Sequence, residues 1–230
     1  MTMTLDLNGI ALRESNLRLR RSAESGNEVR LSNASHLKGL CGGLRKGTVF
    51  VEGDVGDYFG ILNDGASLVV DGSAGRFVGD NMTAGKIVVR GSVGEGAADY
   101  CYGGTIVVGK SAGDFLGTMN KGATIVISGD VGDHAGTYMT AGEIIILGDA
   151  GEALGDYIIR GSIYIFGSYS SLGSNTKLEK MRSDDIDKLN TVLGKLGIQA
   201  NARSFEKVAP ASSKPFYHER PIVSGKVMGP

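Results

Sequence analysis

Cysteine, histidine and proline are scarce in this sequence, and each scarcity removes a class of protein. Two cysteines, Cys41 and Cys101, cannot make the disulfide framework of a small secreted domain. Three histidines, His36, His134 and His218, stand far apart, and none lies at a metal-ligand spacing. The four prolines all fall at or after Pro210. No apolar run approaches the roughly 20 residues that a membrane-spanning helix needs. The stretch Met1 to Leu12 alternates apolar and polar residues and has no apolar signal core, so the expected location is cytoplasmic. The net charge is -1 and the charged residues are spread along the chain. That distribution gives no nucleic-acid footprint, no polybasic membrane patch and no acidic tail.

What the sequence has in excess is glycine, 37 of 230 residues, against a usual share of about 7%. Glycine does not recur every third residue, which excludes collagen. Hydrophobic residues make up 41%, enough for a core and too many for a disordered chain. The remaining explanation is a regular need for tight corners or close backbone approach.

That need is periodic. Stepping by nineteen from Gly53 reaches Gly72, Gly91, Lys110, Gly129, Gly148 and Gly167. A second column runs Gly56, Gly75, Gly94, Gly113, Gly132, Gly151 and Ser170. A third runs Gly60, Gly79, Ala98, Gly117, Gly136, Gly155 and Ser174. Each unit therefore reads G-x-x-G-x-x-x-G, held in register for seven units without an insertion. Two apolar columns keep the same phase, Val49 through Ile163 and Val51 through Ile165, and both are β-branched apart from Leu68. Another alternates large and small from Val55 and Ala74 to Val131 and Ala150, as interdigitating layers do.

A short strand and a glycine corner repeated every nineteen residues predict an all-β fold. It is a single-stranded right-handed parallel β-helix of about seven 19-residue coils, with a C-terminal helix and extended tail. At about 4.8 Å per coil the stack is about 34 Å long. Three segments follow from where the period starts and stops. Residues 1–46 form an N-terminal cap and lead-in, with alternating segments at Leu5-Asp6-Leu7 and Leu17-Arg18-Leu19 and a weak strand, Val29-Arg30-Leu31, out of phase by one residue. Residues 47–174 form the β-helix, and residues 175–230 the C-terminal helix and extended arm. Ser183 with Asp184 and Asp185 starts a helix, and Ile186, Leu189, Val192, Leu193 and Leu196 fall on one face before Gly197 stops it. The expectation is that this helix covers the open end left at Ser170 and Ser174, and that the chain from Ala209 onward reaches to a partner.

No residue earns a catalytic, cofactor-binding or metal-binding assignment. The glycines recur in every coil without the lysine and helix of a phosphate loop, and Gly94-Glu95-Gly96-Ala97-Ala98-Asp99 lacks the last glycine of a dinucleotide fingerprint. Cys101 fills a column otherwise held by Asn63, Met82, Asn120, Met139 and Ile158, so packing is its default role, and Cys41 has no visible partner. His134 shares a column with Tyr58, Phe77 and Phe115 and is expected to fill an aromatic slot. Asp54, Asp57, Asp114, Asp130, Asp133 and Asp149 lie at corners whose equivalents are often Ser73, Arg76, Ser92 or Ser111. They are expected to be solvated turn residues, not calcium ligands.

The unit Gly53-Asp54-Val55-Gly56-Asp57-Tyr58-Phe59-Gly60 and its repeats over roughly residues 44–174 resemble the C-terminal GXGXG β-helix domain of the glutamate synthase large subunit. In that family the domain is structural and lies between an amidotransferase and an FMN-binding synthase domain. Stand-alone versions resemble the small subunit of N-methylglutamate synthase, separate glutamate synthase domain chains, and the formylmethanofuran dehydrogenase C subunit. The resemblance implies a non-catalytic subunit of a hetero-oligomer with no cofactor of its own. It also implies a glutamine amidotransferase-like partner and an FMN and iron–sulfur synthase-like partner. Two other classes remain open. A left-handed β-helix acyltransferase is disfavoured, because its hexapeptide units do not divide a coil of nineteen. The other is an autonomous binding module.

Overall fold

Strands stack in this chain because its apolar columns recur with the coil. The structure is a computed structural model describing residues 2–215. Nine parallel strands follow in chain order: β1 (Thr2–Asp6), β2 (Glu28–Ser32), β3 (Thr48–Val51), β4 (Asp64–Val70), β5 (Ala84–Val89), β6 (Thr105–Val108), β7 (Lys121–Ile127), β8 (Ala141–Ile146) and β9 (Ser162–Ile165). From β3 to β9 the register is the sequence period itself: Val49 pairs with Leu68, Leu68 with Ile87, Ile106 with Ile125, and Ile144 with Ile163. The fold is thus a parallel β-solenoid of about seven turns. The out-of-phase segment also joins the sheet. Val29 pairs with Val49, one residue more than a coil away, and Met3 pairs with Val29.

The lumen is filled by side chains. Both strand columns, Val49 to Ile163 and Val51 to Ile165, are at most 1% exposed. Opposite them Val55, Ala74, Val93, Ala112, Val131 and Ala150 form a second ladder of single bridges, with large residues over small. The third side contributes Phe59, Val78, Ala97, Leu116, Ala135 and Leu154, all buried. One continuous apolar core results, running from Leu7 to Val208.

The two ends differ from the sequence expectation. Leu17-Arg18-Leu19 belongs to helix α1 (Leu12–Glu24), not to a strand. Leu19 and Ala23 are buried in the core cluster while Leu17 stays exposed, so the helical face and not the alternation governs burial. Asn16 ties α1 to the first turn by accepting from the Cys41 amide at 2.9 Å and donating to the Gly39 carbonyl at 3.0 Å. The cap is regular structure.

At the other end, stacking does not stop at Ser170. Tyr169 bridges Ala150, and Leu172 bridges Leu154 with one residue fewer in the coil. The closing element is a pair of strands, β10 (Thr176–Glu179) and β11 (Glu206–Pro210). β11 runs antiparallel between β9 and β10, placing the fully buried Val208 opposite Ile163. The predicted helix is present as α2 (Ser183–Leu196), but it lies on the outer face of the sheet. Leu189 and Leu193 pack with Val107, Val126, Ile145 and Tyr164, the middle residues of β6–β9. Those strands are apolar on both faces, which marks a sheet covered on both sides. Of the expected arm, Ala209 and Pro210 belong to β11, and residues 216–230 lie outside the described residues.

Ile125 sits mid-stack with no exposed surface. Replacing it with Asp buries an unpaired charge. Ile125→Asp is expected to lose cooperative thermal unfolding or to melt at least ten degrees below the parent by circular dichroism. A melting temperature within two degrees of the parent would show that this column does not face inward.

Candidate functional site

The glycine corner recurs in nearly every coil of the solenoid. Its first two glycine columns allow close stacking. A Cβ built on Gly75 would lie 2.3 Å from Asp57 Oδ1 and 2.7 Å from the Asp57 amide nitrogen. From Gly56 and Gly72 onward the open side of these glycines therefore faces the neighbouring coil and leaves no room for a phosphate, while Gly53, at the head of its column, meets nothing within 4 Å. The third column points inward with positive φ: Gly117 has φ +66°, and its Cβ would meet Ile144 Cδ1 at 2.9 Å. Ala98 takes this slot in one coil at φ 62°, where the preceding inward residue is only Ala97.

The residues flanking that glycine are also left-handed. Tyr58, Phe77, Phe115 and His134 have φ of 59–62°, and Leu62, Asn81, Tyr100 and Met119 have φ of 52–57°. For L-residues this conformation costs roughly 1–2 kcal/mol each. Inter-coil bonds hold it in place. The Tyr58 amide donates to the Arg76 carbonyl at 2.7 Å, and the Leu62 amide to the Asp80 carbonyl at 2.9 Å. The outward rings then stack coil on coil: Tyr58 on Phe77 at 5.0 Å and Phe115 on His134 at 5.1 Å between centroids.

The corner aspartates are more than solvated turn residues. Asp54 Oδ1 accepts from the Ser73 amide at 2.7 Å, Asp114 Oδ1 from Asp133 at 2.9 Å, and Asp130 Oδ1 from Asp149 at 2.9 Å. Asp57 does the same for Arg76 at 3.0 Å. That bond, followed by the one from Lys38, holds its carboxyl below the ordinary range. Each carboxylate is a clamp on the amide nineteen residues later. Among the described residues no group of three or more His, Cys, Asp or Glu could hold a metal ion.

Two buried asparagines were missed as functional side chains. Asn120 donates to the Ala123 carbonyl at 2.9 Å and accepts from the Gly122 and Ala123 amides, and Asn63 makes equivalent bonds with Ala66. They brace the bulged entries of β4 and β7. The signal was present as a longer period. Asn63-x-Gly65-Ala66 recurs as Asn120-x-Gly122-Ala123, and Met82-Thr83-Ala84-Gly85 as Met139-Thr140-Ala141-Gly142, so three coils form one unit of 57 residues.

The sequence candidates for chemistry are dispersed. Cys101 is fully buried, its thiol donates to the Gly79 carbonyl at 3.1 Å, and burial pushes it up to about 12. Cys41, in the first turn, is buried and pushed up likewise. His134 is stacked on Phe115. Asp185, read in the sequence only as part of a helix start, does more in the structure. Burial opposes its charge, but the Arg182 amide, the Tyr164 hydroxyl at 2.7 Å and Lys207 at 3.0 Å outweigh burial and hold it at about 2. This cluster fastens α2 to β9 and β11.

Asp99 is the other displaced acid. It is 8% exposed and accepts from the Thr118 amide at 3.1 Å. Burial, with the nearby Asp80 charge, pushes its carboxyl up to about 7. A folded value above the unfolded one contributes stability below the unfolded value, and that contribution is lost as pH rises through about 7. Asp99→Asn, which keeps the acceptor oxygen, is expected to be more stable than the parent. Its advantage should be on the order of 2 kcal/mol larger at pH 8 than at pH 5. Equal advantages in denaturant titrations at both pH values would contradict a protonated Asp99.

The family model described as the GXGXG motif matches residues 38–121 and again 100–196. The two matches overlap within the repeating part of the chain. No curated protein matches the sequence.

Proposed function

The chain belongs to the GXGXG motif family, that of the glutamate synthase C-terminal domain, and from this premise we propose that it is a non-catalytic scaffold subunit of a glutamate synthase-like multisubunit flavoenzyme. In this reading the enzyme is N-methylglutamate synthase, which converts glutamate and methylamine to N-methylglutamate and ammonia. The chain joins an amidotransferase-like subunit to a subunit that carries FMN and an iron–sulfur cluster.

One observation carries the reading. The side chains able to do chemistry are already committed to holding coils together. The corner aspartates clamp amides, Cys101 bonds a carbonyl inside the stack, and His134 stacks on a ring. Gly53 apart, the glycines of the first two columns approach the preceding coil instead of an open surface. A chain built this way supplies a rigid body with a periodic surface, and that is what a scaffold contributes.

Expressed alone, the purified protein is expected to be colourless and to leave glutamate, glutamine and methylamine unchanged. Co-expression with an amidotransferase-like chain and a synthase-like chain from the same source should give one co-purifying complex holding flavin and an iron–sulfur cluster. That complex should form N-methylglutamate from glutamate and methylamine. A yellow single chain, or turnover by it, would contradict the scaffold reading. A complex that ignores methylamine and forms two glutamates from glutamine, 2-oxoglutarate and an added two-electron reductant would move the chain to glutamate synthase proper.

A further inference from the structure

The corner face carries more than stacking requires. Tyr58, Leu62, Tyr100, Tyr102, Phe115 and Tyr138 are six of the nine large apolar side chains left exposed among the described residues. Tyr58 and Phe115 fall in one left-handed column, Leu62, Tyr100 and Tyr138 in another four residues on, and Tyr102 two residues beyond Tyr100. The backbone does not ask for a ring there. The column of Tyr58, Phe77, Phe115 and His134 is completed by Gly96 and Ala153 in the same conformation. Rings at these positions accept both strain and exposure, and such strain clusters where a surface is used.

A second set of side chains runs alongside. Asp114 precedes Phe115, Asp133 precedes His134, and Asp130 and Asp149 sit three residues before Asp133 and Glu152. In the upper coils Asp57 is neutralised by Lys38 at 3.0 Å and Arg76 at 3.8 Å. No ion pair reaches Asp114, Asp130, Asp133, Asp149 or Glu152 among the described residues. Clamping does not explain the charge. Ser73 performs the same task with a neutral hydroxyl, accepting from the Ser92 amide at 3.2 Å. The lower coils thus present an acidic ridge without ion pairs near the exposed rings of Phe115 and Tyr138.

We infer that this edge, centred on Asp114, Phe115, Met119, Asp130, Asp133 and His134, is the docking surface for a segment of a companion protein that presents Lys or Arg side chains beside aliphatic or aromatic ones. The occupant follows from charge complementarity: basic side chains match the carboxylates that lack ion pairs, and apolar ones match the rings beside them. The inference rests on the scaffold reading for the identity of the companion, and it adds the face and its chemistry.

Two variants keep the fold by using residues the same columns already hold or that retain the clamp oxygen. The first is Asp114→Asn with Asp130→Asn and Asp133→Asn. The second is Phe115→Gly with Met119→Asn, after Gly96 and Asn81. Full-length protein would be titrated with each purified companion chain by biolayer interferometry at 50 and 300 mM salt. It would also be titrated with the synthetic peptide Lys-Phe-Lys-Leu-Lys-Phe-Lys. One companion chain and the peptide are expected to bind the parent with salt-sensitive affinity. The charge variant should weaken both at least tenfold at low salt and flatten the salt dependence. The apolar variant should weaken both tenfold with the salt dependence kept. Companion binding unchanged in both variants overturns the surface and leaves the scaffold reading standing. Peptide that fails to bind the parent, or binds all three proteins alike, also overturns the surface. A parent that ignores both companions but binds the peptide selectively removes the scaffold reading and leaves the surface.

Discussion

The hydrogen bonding between successive coils is the constraint on which everything else in this molecule depends. A single coil of nineteen residues has no helix to satisfy its own amides and almost no interior. Its N–H and C=O groups must find partners about 4.8 Å above and below. That is possible only if each residue type recurs where the coil beneath can accept it. The glycine columns permit the approach: at Gly72 a Cβ would lie 2.5 Å from the Gly53 carbonyl carbon. The aspartates then take the amides that the turn leaves over. The β-branched columns fill the space that stacking encloses.

A body organised this way separates stability from function in space. Among the described residues the interior is filled by side chains in interlocking rows. The outside is where side chains repeat along the axis and the backbone is fixed. The outer face of the sheet is partly used by the chain itself, since α2 covers Val107, Val126, Ile145 and Tyr164 and is held by the Asp185 cluster. The corner edge is left with its rings and charges presented in a fixed order.

The nineteen-residue period made the solenoid and its inward columns legible, because each column changes chemistry if the phase is shifted by one residue. The aromatic slot of His134 and the buried setting of Cys101 were legible for the same reason: a column states what its members have in common. The ends were not, because they occur once. Leu17-Arg18-Leu19 alternates like a strand, yet Ser15, Leu19, Ser22 and Ala23 form a buried helical stripe that only a longer window exposes. The apolar face of α2 was visible in the sequence, but a face does not name what it covers. The middle positions of β6 to β9, apolar as well, carried that answer. The aspartate clamps could not be seen at all, since a carboxylate that accepts an amide nineteen residues away looks in sequence like any turn residue.

The three-coil unit that begins again at Asn120 turns this account into a structural test. If register between coils is the governing constraint, removing residues 61–117 joins Gly60 to Thr118 and reproduces the natural Gly117–Thr118 step. Removing residues 61–108 takes out about two and a half coils and sets corner against strand. Circular dichroism with thermal unfolding of both shortened proteins is the direct measurement. The account predicts that the first keeps a β-rich spectrum and one cooperative transition, and that the second keeps neither. Two shortened proteins that unfold alike would contradict it.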